Sequence, residues 1–297
     1  MLPFRMARHA MATRFELVLH GLDPVRLRAI AEEALDEIDR IENLLSRYRP
    51  STDIGRINRG AAHSPTRVTP ETFNLLKRAR ELSKFTDGAF DPTAGPLIQV
   101  WGFCEGSGRT PKPEELQQAR NCVGWHQIEL DEESYSVRFA QAGMALDLGA
   151  IGKGYGLDRA AELIREAGVE AALLHGGTST VVAIGQPPDR AAWNVALATH
   201  LKKDPSDGAL TEITLLDQSL SVSASWGKCF VDATGRQRGH VLDPRVGEPT
   251  AVSGMAAVVA PWGLDSDALS TALLVGGPAM AQKLKNLSDV KCWFRAG

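Results

Sequence analysis

The strongest constraint on the fold is an amphipathic repeat that follows directly on an alternating one. Residues Thr13–His20, TRFELVLH, alternate as a strand with one buried face does. Asp23 and Pro24 then supply a helix cap and a first helical position. Leu27, Ile30, Ala34, Ile38, Ile41 and Leu45 continue at helical spacing to about Ser46, so one stripe of a long helix must be buried against something. Thr69-Pro70 repeats the start signal for a helix over about 70–85, and another fits about 153–167. Strand-like runs occur at about 171–174, 181–184, 193–198, 212–216, 220–223 and 241–242, with a hairpin at 127–130 and 134–139. A strand at 256–260 precedes a helix over about 265–275, and a last helix and strand close the chain. Residues 48–57 read as a loop or short helical turn, 201–209 as a surface loop and 232–235 as a turn. Helices and hairpins interleave without regular strand–helix–strand alternation. The expected class is α+β, with mixed or antiparallel sheets packed against helices.

Composition narrows the function more than the fold. A chain of 297 residues with 43% hydrophobic content can bury one large core or two coupled ones. A net charge of −3 gives no basic field for nucleic acid or an anionic membrane. The four cysteines, at 104, 122, 229 and 292, show neither zinc-ligand pairing nor disulfide density. No stretch approaches the ~20 apolar residues of a membrane span. The first residues lack the apolar run of a signal peptide, so the expectation is a cytoplasmic protein, or a periplasmic one if an export signal was removed.

Three constellations carry chemistry. Residues 149–154, GAIGKG, place close-set glycines and Lys153 at the start of a helix, where backbone amides and a point charge suit a phosphate. The spacing is neither that of a Walker loop nor that of a dinucleotide fingerprint, and a plain glycine turn with a solvated lysine fits equally well. Asp267 and Thr271 share one helix face, so a carboxylate and a hydroxyl can converge as hard ligands for Mg²⁺. The alternative is an ordinary helix start capped by Asp265 or Ser266. His240, in GHVLDPRVGEP, reads either as a general base or as a strand-end histidine bonded to a carbonyl, with Asp243 and Gly247 bounding a turn at Pro244. The Gly- and Pro-rich stretch 86–103 has the character of a binding loop.

In order and spacing these segments resemble the FAD:protein FMN transferase (ApbE) family, from about Met11 to Gly277. The matching stretches are MATRF at 11–15, LLSRYRPSTDIGRIN at 44–58, TDGAFDPTAGPLIQVWGF at 86–103 and LDLGAIGKGYGLDRAAELI at 146–164. LLHGGTSTVVAIG at 173–185, GHVLDPRVG at 239–247 and SDALSTALLVGG at 266–277 complete the set. The resemblance implies a single ApbE-like domain over 1–297, as one body or two interleaved lobes with a T-fold-like architecture. It implies FAD as substrate, Mg²⁺ as cofactor and an acceptor protein with a Ser/Thr motif as partner, FMN being transferred to the hydroxyl with release of AMP. It places the metal on the carbonyl of Ala150 and the side chains of Asp267 and Thr271, with Ser270 outside the ligand set. Flavin contacts fall on Met11, Tyr48, Ala89, Phe90, Asp91, Asp147 and Lys153, with Val241 or Leu242 beside the base, and His240 activates the acceptor. Hydrolysis of FAD to FMN and AMP, or FAD binding without turnover, are the alternatives. Three positions depart from the family pattern: Trp226 stands where glycine is usual, Thr178 where aspartate is, and Val246 where threonine is. The indole of Trp226 is expected to narrow the acceptor's path.

Overall fold

The computed structural model describes residues 3–104, 106, 108–197 and 211–296; the surface loop expected at 201–209 lies outside them. Elements are numbered in chain order. The helices are α1 (Pro24–Leu45), α2 (Asp53–Gly60), α3 (Pro70–Phe85), α4 (Gly95–Val100), α5 (Pro113–Asn121), α6 (Gly152–Glu166) and α7 (Gly263–Leu284). Seven strands form the main sheet: β1 (Phe4–Ala10), β2 (Thr13–His20), β6 (Ala171–Gly176), β7 (Thr180–Ile184), β10 (Ser219–Ala224), β15 (Gly254–Ala260) and β16 (Lys291–Ala296). They lie side by side in that order, and every neighbouring pair is antiparallel. A smaller sheet places β5 (Ser136–Phe139) between β3 (Thr66–Arg67) and β4 (Ile128–Asp131). Three hairpins complete the strands: β8 (Trp193–Leu197) with β9 (Thr211–Leu215), β11 (Cys229–Val231) with β12 (Gln237–Gly239), and β13 (Leu242–Asp243) with β14 (Glu248–Pro249). The α+β class read from the sequence holds, with antiparallel rather than mixed pairing.

The helical stripe of α1 finds its partner on the main sheet. Asp23 Oδ1 accepts the amides of Val25 (2.9 Å) and Arg26 (3.2 Å), which fixes the start of the helix. Its buried face then packs with Phe15, Leu17 and Leu19 of β2 and with Leu157, Ala160, Ala161 and Ile164 of α6. Each fully buried Leu, Ile or Phe side chain in this layer contributes about 1.5–3 kcal/mol, and the alanines less. The chain enters this layer through a two-residue hairpin at Met11 (φ 47°) and Ala12 (φ 58°), both left-handed without being glycine. Glu42 of α1 accepts the Met11 amide at 2.9 Å and holds that turn in place.

Alternation along β10 divides its two faces sharply. Leu220 and Val222 face an outer cluster with the β8–β9 hairpin. Ser219, Ser221 and Ser223 face α7, where their hydroxyls meet Ser266 (2.8 and 2.7 Å) and Ser270 (2.8 Å). These bonds satisfy a polar seam inside an otherwise apolar layer, as buried hydroxyls require. Helix α7 breaks at Gly277 (φ 57°), ahead of Pro278, so the two closing helices expected from the sequence form one kinked run. The segment 48–57 runs from a turn into α2, whose amide at Gly55 is capped by Thr52 Oγ1 at 2.9 Å. Strand β1 and helix α5 are additions that the sequence reading did not contain.

Candidate active site at the α6–α7 junction

Two helix starts meet here, and each is capped by a carboxylate from the other helix. The Gly154 amide, in the first turn of α6, donates to Asp267 Oδ2 at 2.7 Å. In return the Gly263 and Leu264 amides of α7 donate to Asp158 Oδ1 (2.6 Å) and Oδ2 (2.9 Å). The cap of α7 is therefore Asp158, and neither Asp265 nor Ser266 fills it. Asp265 pairs with Arg78 (2.8 Å), and Ser266 Oγ donates to the Gly263 carbonyl (3.0 Å). The backbones touch at the crossing: a Cβ on Gly154 would lie 2.1 Å from Gly263 O. Gly156 likewise leaves room for Met11, whose Cε would be 3.2 Å from an added Cβ. Two of the motif glycines thus serve helix packing, while Gly152 faces open space.

Asp267 is only 5% exposed, and among the described residues no basic side chain pairs with it. Its second oxygen accepts the Thr180 hydroxyl at 2.6 Å. Thr271, one turn further along α7, is half-buried, with its Oγ1 3.2 Å from Ser223 Oγ. Ser270 turns inward, donating to Asp267 O at 3.0 Å. An unneutralised buried carboxylate beside a hydroxyl is a hard-oxygen environment that suits Mg²⁺. No group of three or more His, Cys, Asp or Glu suited to a metal occurs among the described residues, so a cation here depends on hydroxyl and carbonyl oxygens. Ala150 lies in the turn before α6 and packs against the core cluster that includes Ala268 of α7.

Lys153 projects from the second position of α6, where Gly176 of β6 makes room: a Cβ there would stand 3.6 Å from Lys153 Cβ. His240 lies within electrostatic reach of Lys153. Its Nδ1 is 3.1 Å from Lys228 O, and its backbone amide donates to the same carbonyl at 2.9 Å. A ring nitrogen facing a carbonyl must carry the proton, which leaves Nε2 as an acceptor. The carbonyl bond at Nδ1 and an accepting Nε2 are therefore compatible in one tautomer. Burial among neighbouring atoms lowers the imidazole pKa, Lys228 and Lys153 lower it further, and the Lys228 carbonyl bond opposes them. Gly227 abuts the ring, since a Cβ there would be 2.6 Å from His240 Cε1. Trp226, by contrast, packs against the outer β8–β9 cluster, on the sheet face away from α7.

The loop before α6 carries the other predicted contacts. Asp147 accepts the Gly149 amide at 2.8 Å and pairs with Arg47 at 2.7 Å, both partners being largely buried. Arg47 lies 5.8 Å from the Tyr48 ring, which is itself 68% exposed and presents a face to solvent. The Asp147 amide donates to Pro92 O at 2.8 Å and ties this loop to Asp91. Asp91 Oδ1 accepts both the amide (2.8 Å) and the hydroxyl (2.7 Å) of Thr93, and burial raises its carboxyl pKa against those bonds. Ala89 (1% exposed), Phe90 (2%) and Leu242 (6%) have their side chains in the core, so any ligand contact they make is through backbone. Val241 is half-buried and packs against the main core. Asp91 lines a cleft of about 300 Å³ with Arg120 and Arg245. A larger cavity of about 730 Å³, beside Arg78, Asp158 and Trp262, is lined by none of the predicted residues. Arg47, Asp158 and Thr180 are the additions of the structure; all three stood unassigned in matched segments, and no local pattern marked their partners.

These features define an antiparallel α+β protein with a candidate hard-cation site where two helix starts cross, flanked by a lysine and a histidine. The chain belongs to the ApbE family, whose model matches residues 11–294. The FAD:protein FMN transferase of Klebsiella pneumoniae (strain 342) is 31% identical over 270 residues, spanning 90% of this chain and 82% of that protein. That of Escherichia coli (strain K12) is 26% identical over 280 residues, spanning 92% and 78%. The crystal structure of the ApbE protein from Thermotoga maritima superposes with a TM-score of 0.86 at 27% identity, covering 99% of this chain and 97% of that one. Apo flavinyl transferase ApbE of Pseudomonas stutzeri gives 0.85 at 27% identity, covering 99% and 92%.

Proposed function

We propose that this enzyme is an FAD:protein FMN transferase that moves the FMN half of FAD to a serine or threonine hydroxyl of an acceptor protein and releases AMP. The observation that carries the reading is Asp267, a buried carboxylate without a basic partner among the described residues, one turn from Thr271 and beside the start of α6. Asp267, Thr271 and the carbonyl of Ala150 would hold Mg²⁺, which supplies charge neutralisation at the diphosphate when bound. Lys153 holds a phosphate oxygen at the same helix start. His240 Nε2 takes the proton of the acceptor hydroxyl as its oxygen bonds to the FMN phosphorus. The bond from that phosphorus to the AMP oxygen breaks, and AMP leaves with the electron pair. Tyr48 offers its exposed ring to the flavin, and Arg47 fixes Asp147 beside it.

The test is incubation with FAD, Mg²⁺ and a flavoprotein domain bearing a Ser/Thr acceptor motif, read by intact mass. An FMN-sized increase on the acceptor, lost in Asp267→Ala, is the expected result. Intact FAD and unmodified acceptor, with every candidate tried, would sink the proposal. Because His240 is solvent-accessible, water is a second nucleophile open to the same base. AMP release without acceptor measures that hydrolytic reading directly.

A further inference from the structure

We infer that Thr180 is a positioning residue for the cation site, its hydroxyl fixing the orientation in which the Asp267 carboxylate presents its free lone pairs. The inference rests on the proposed role of Asp267 as a metal ligand.

Thr180 is fully buried, and its Oγ1 donates to Asp267 Oδ1 at 2.6 Å. The opposite oxygen is held by the Gly154 amide at 2.7 Å. One donor comes from the middle of the sheet and the other from α6, while the carboxylate sits on α7. A carboxylate has about four lone-pair sites, so one donor on each oxygen fixes the rotation of the group and leaves capacity on both. Without the Thr180 bond only the Gly154 contact remains, and the plane of the carboxylate is free to turn about χ2, a broad torsion for aspartate.

The neighbourhood of Thr180 singles out its hydroxyl. Phe15, Gly176, Thr180, Ser221 and Val258 pair across five strands in one register row. Within that row Ser221 is bonded to Ser266 (2.7 Å), and Gly176 carries no side chain. Position 180 precedes Val181 and Val182 in a strand buried along its whole length, where valine would fill the same volume. A buried hydroxyl costs about 1–3 kcal/mol unless it is bonded. The other side-chain oxygen near it, Ser179 Oγ, is at 3.4 Å, so the short charge-assisted bond to Asp267 is what satisfies it.

The test compares Thr180→Val, which keeps the shape and removes the donor, with Thr180→Ser, which keeps the donor, and Thr180→Ala as a second donor-free variant. Mg²⁺ is titrated into each protein with FAD present, followed by calorimetry and by the Mg²⁺ dependence of AMP release. Loss of a group that orients a metal ligand weakens metal binding by roughly 10–100-fold. The half-saturating Mg²⁺ concentration is expected to rise by about that factor in Thr180→Val and Thr180→Ala, with most of the turnover recovered at saturating Mg²⁺ and near-normal behaviour in Thr180→Ser. Donor-free variants that are folded and keep the wild-type Mg²⁺ midpoint overturn the inference. A lower melting temperature or turnover with an unmoved midpoint also overturns it, because that is the mark of a structural role alone. If wild type shows no Mg²⁺ response, or Asp267→Ala leaves the response intact, the reading of Asp267 itself has failed instead.

Discussion

Replacing Asp158 by alanine removes both acceptors from the start of α7. Asp158 is 7% exposed, and α7 has no side-chain cap of its own, so the Gly263 and Leu264 amides lose their partners together. Leaving two buried donors unpaired costs about 2–5 kcal/mol in total. A second effect opposes this one. Burial raises the Asp158 pKa to about 7, from 3.8 for an ordinary aspartate, although the two amide bonds pull it down. A carboxyl whose pKa rises on folding binds its proton more tightly in the folded state. Its contribution to stability is therefore full below pH 3.8 and is lost as pH climbs through about 7. At about 1.4 kcal/mol per pH unit, wild type should lose about 3 kcal/mol from this group between pH 5 and its folded-state pKa, a loss the alanine variant lacks. The destabilisation by Asp158→Ala should thus be largest at pH 5 and shrink toward pH 8. Urea unfolding followed by circular dichroism at pH 5, 6.5 and 8, in EDTA, measures the difference. A penalty that grows with pH would refute the reasoning, since it would mean the two amides hold the carboxylate ionised. No penalty at any pH would show that the start of α7 does not depend on this cap.

Other consequences can be checked separately. With a lowered pKa, His240 should stay neutral at pH 7, so kcat/KM for transfer should be flat above neutrality and fall only below about pH 6.5. His240→Ala should lower kcat by roughly 10²–10⁴-fold and abolish that acid limb, as a stopped pH–rate series would reveal. Tyr48→Ala removes a 68% exposed ring, so it should leave the melting temperature nearly unchanged while weakening FAD binding by about 1–3 kcal/mol in a fluorescence titration. Gly154→Ala should destabilise despite alanine's better helix propensity, because the new Cβ would sit 2.1 Å from Gly263 O; thermal melts should show a loss of about 1–3 kcal/mol or more.

Local signals in the sequence were enough for the elements whose stability is local. Asp23-Pro24 and Thr69-Pro70 mark the starts of α1 and α3, and the apolar stripe of α1 gives its buried face. The family motifs pointed to Lys153, Asp267 and His240, and the fold brings Asp267 to the first turn of α6 and His240 within electrostatic reach of Lys153. Strand β1 was hidden because its alternation runs through Arg5, Ala7 and His9 on the exposed side of an edge strand. Helix α5 buries little beyond Ala119, so it carries no clear apolar stripe. What no local pattern could supply was pairing at a distance. Asp158 capping α7, Arg47 meeting Asp147 and Thr180 meeting Asp267 are all products of topology. The glycines of GKGYG were legible as important, but their division between packing and open space required the crossing of α6 with α7.

That crossing also bears on when the site exists during folding. Gly154 and Asp267 are 113 positions apart in the chain, and Thr180 and Asp267 are 87 apart. Contacts of such sequence separation form only after long loops have closed, an entropic cost that local helices do not face. Helix α1 and its neighbouring hairpin can therefore be native while Asp267 still lacks both donors. A ligand that needs all three elements binds only the completed topology, so it stabilises the finished fold by mass action and gives nothing to partly folded forms. If Asp267 holds the cation as proposed, the same carboxylate would also tie metal loading to the end of folding.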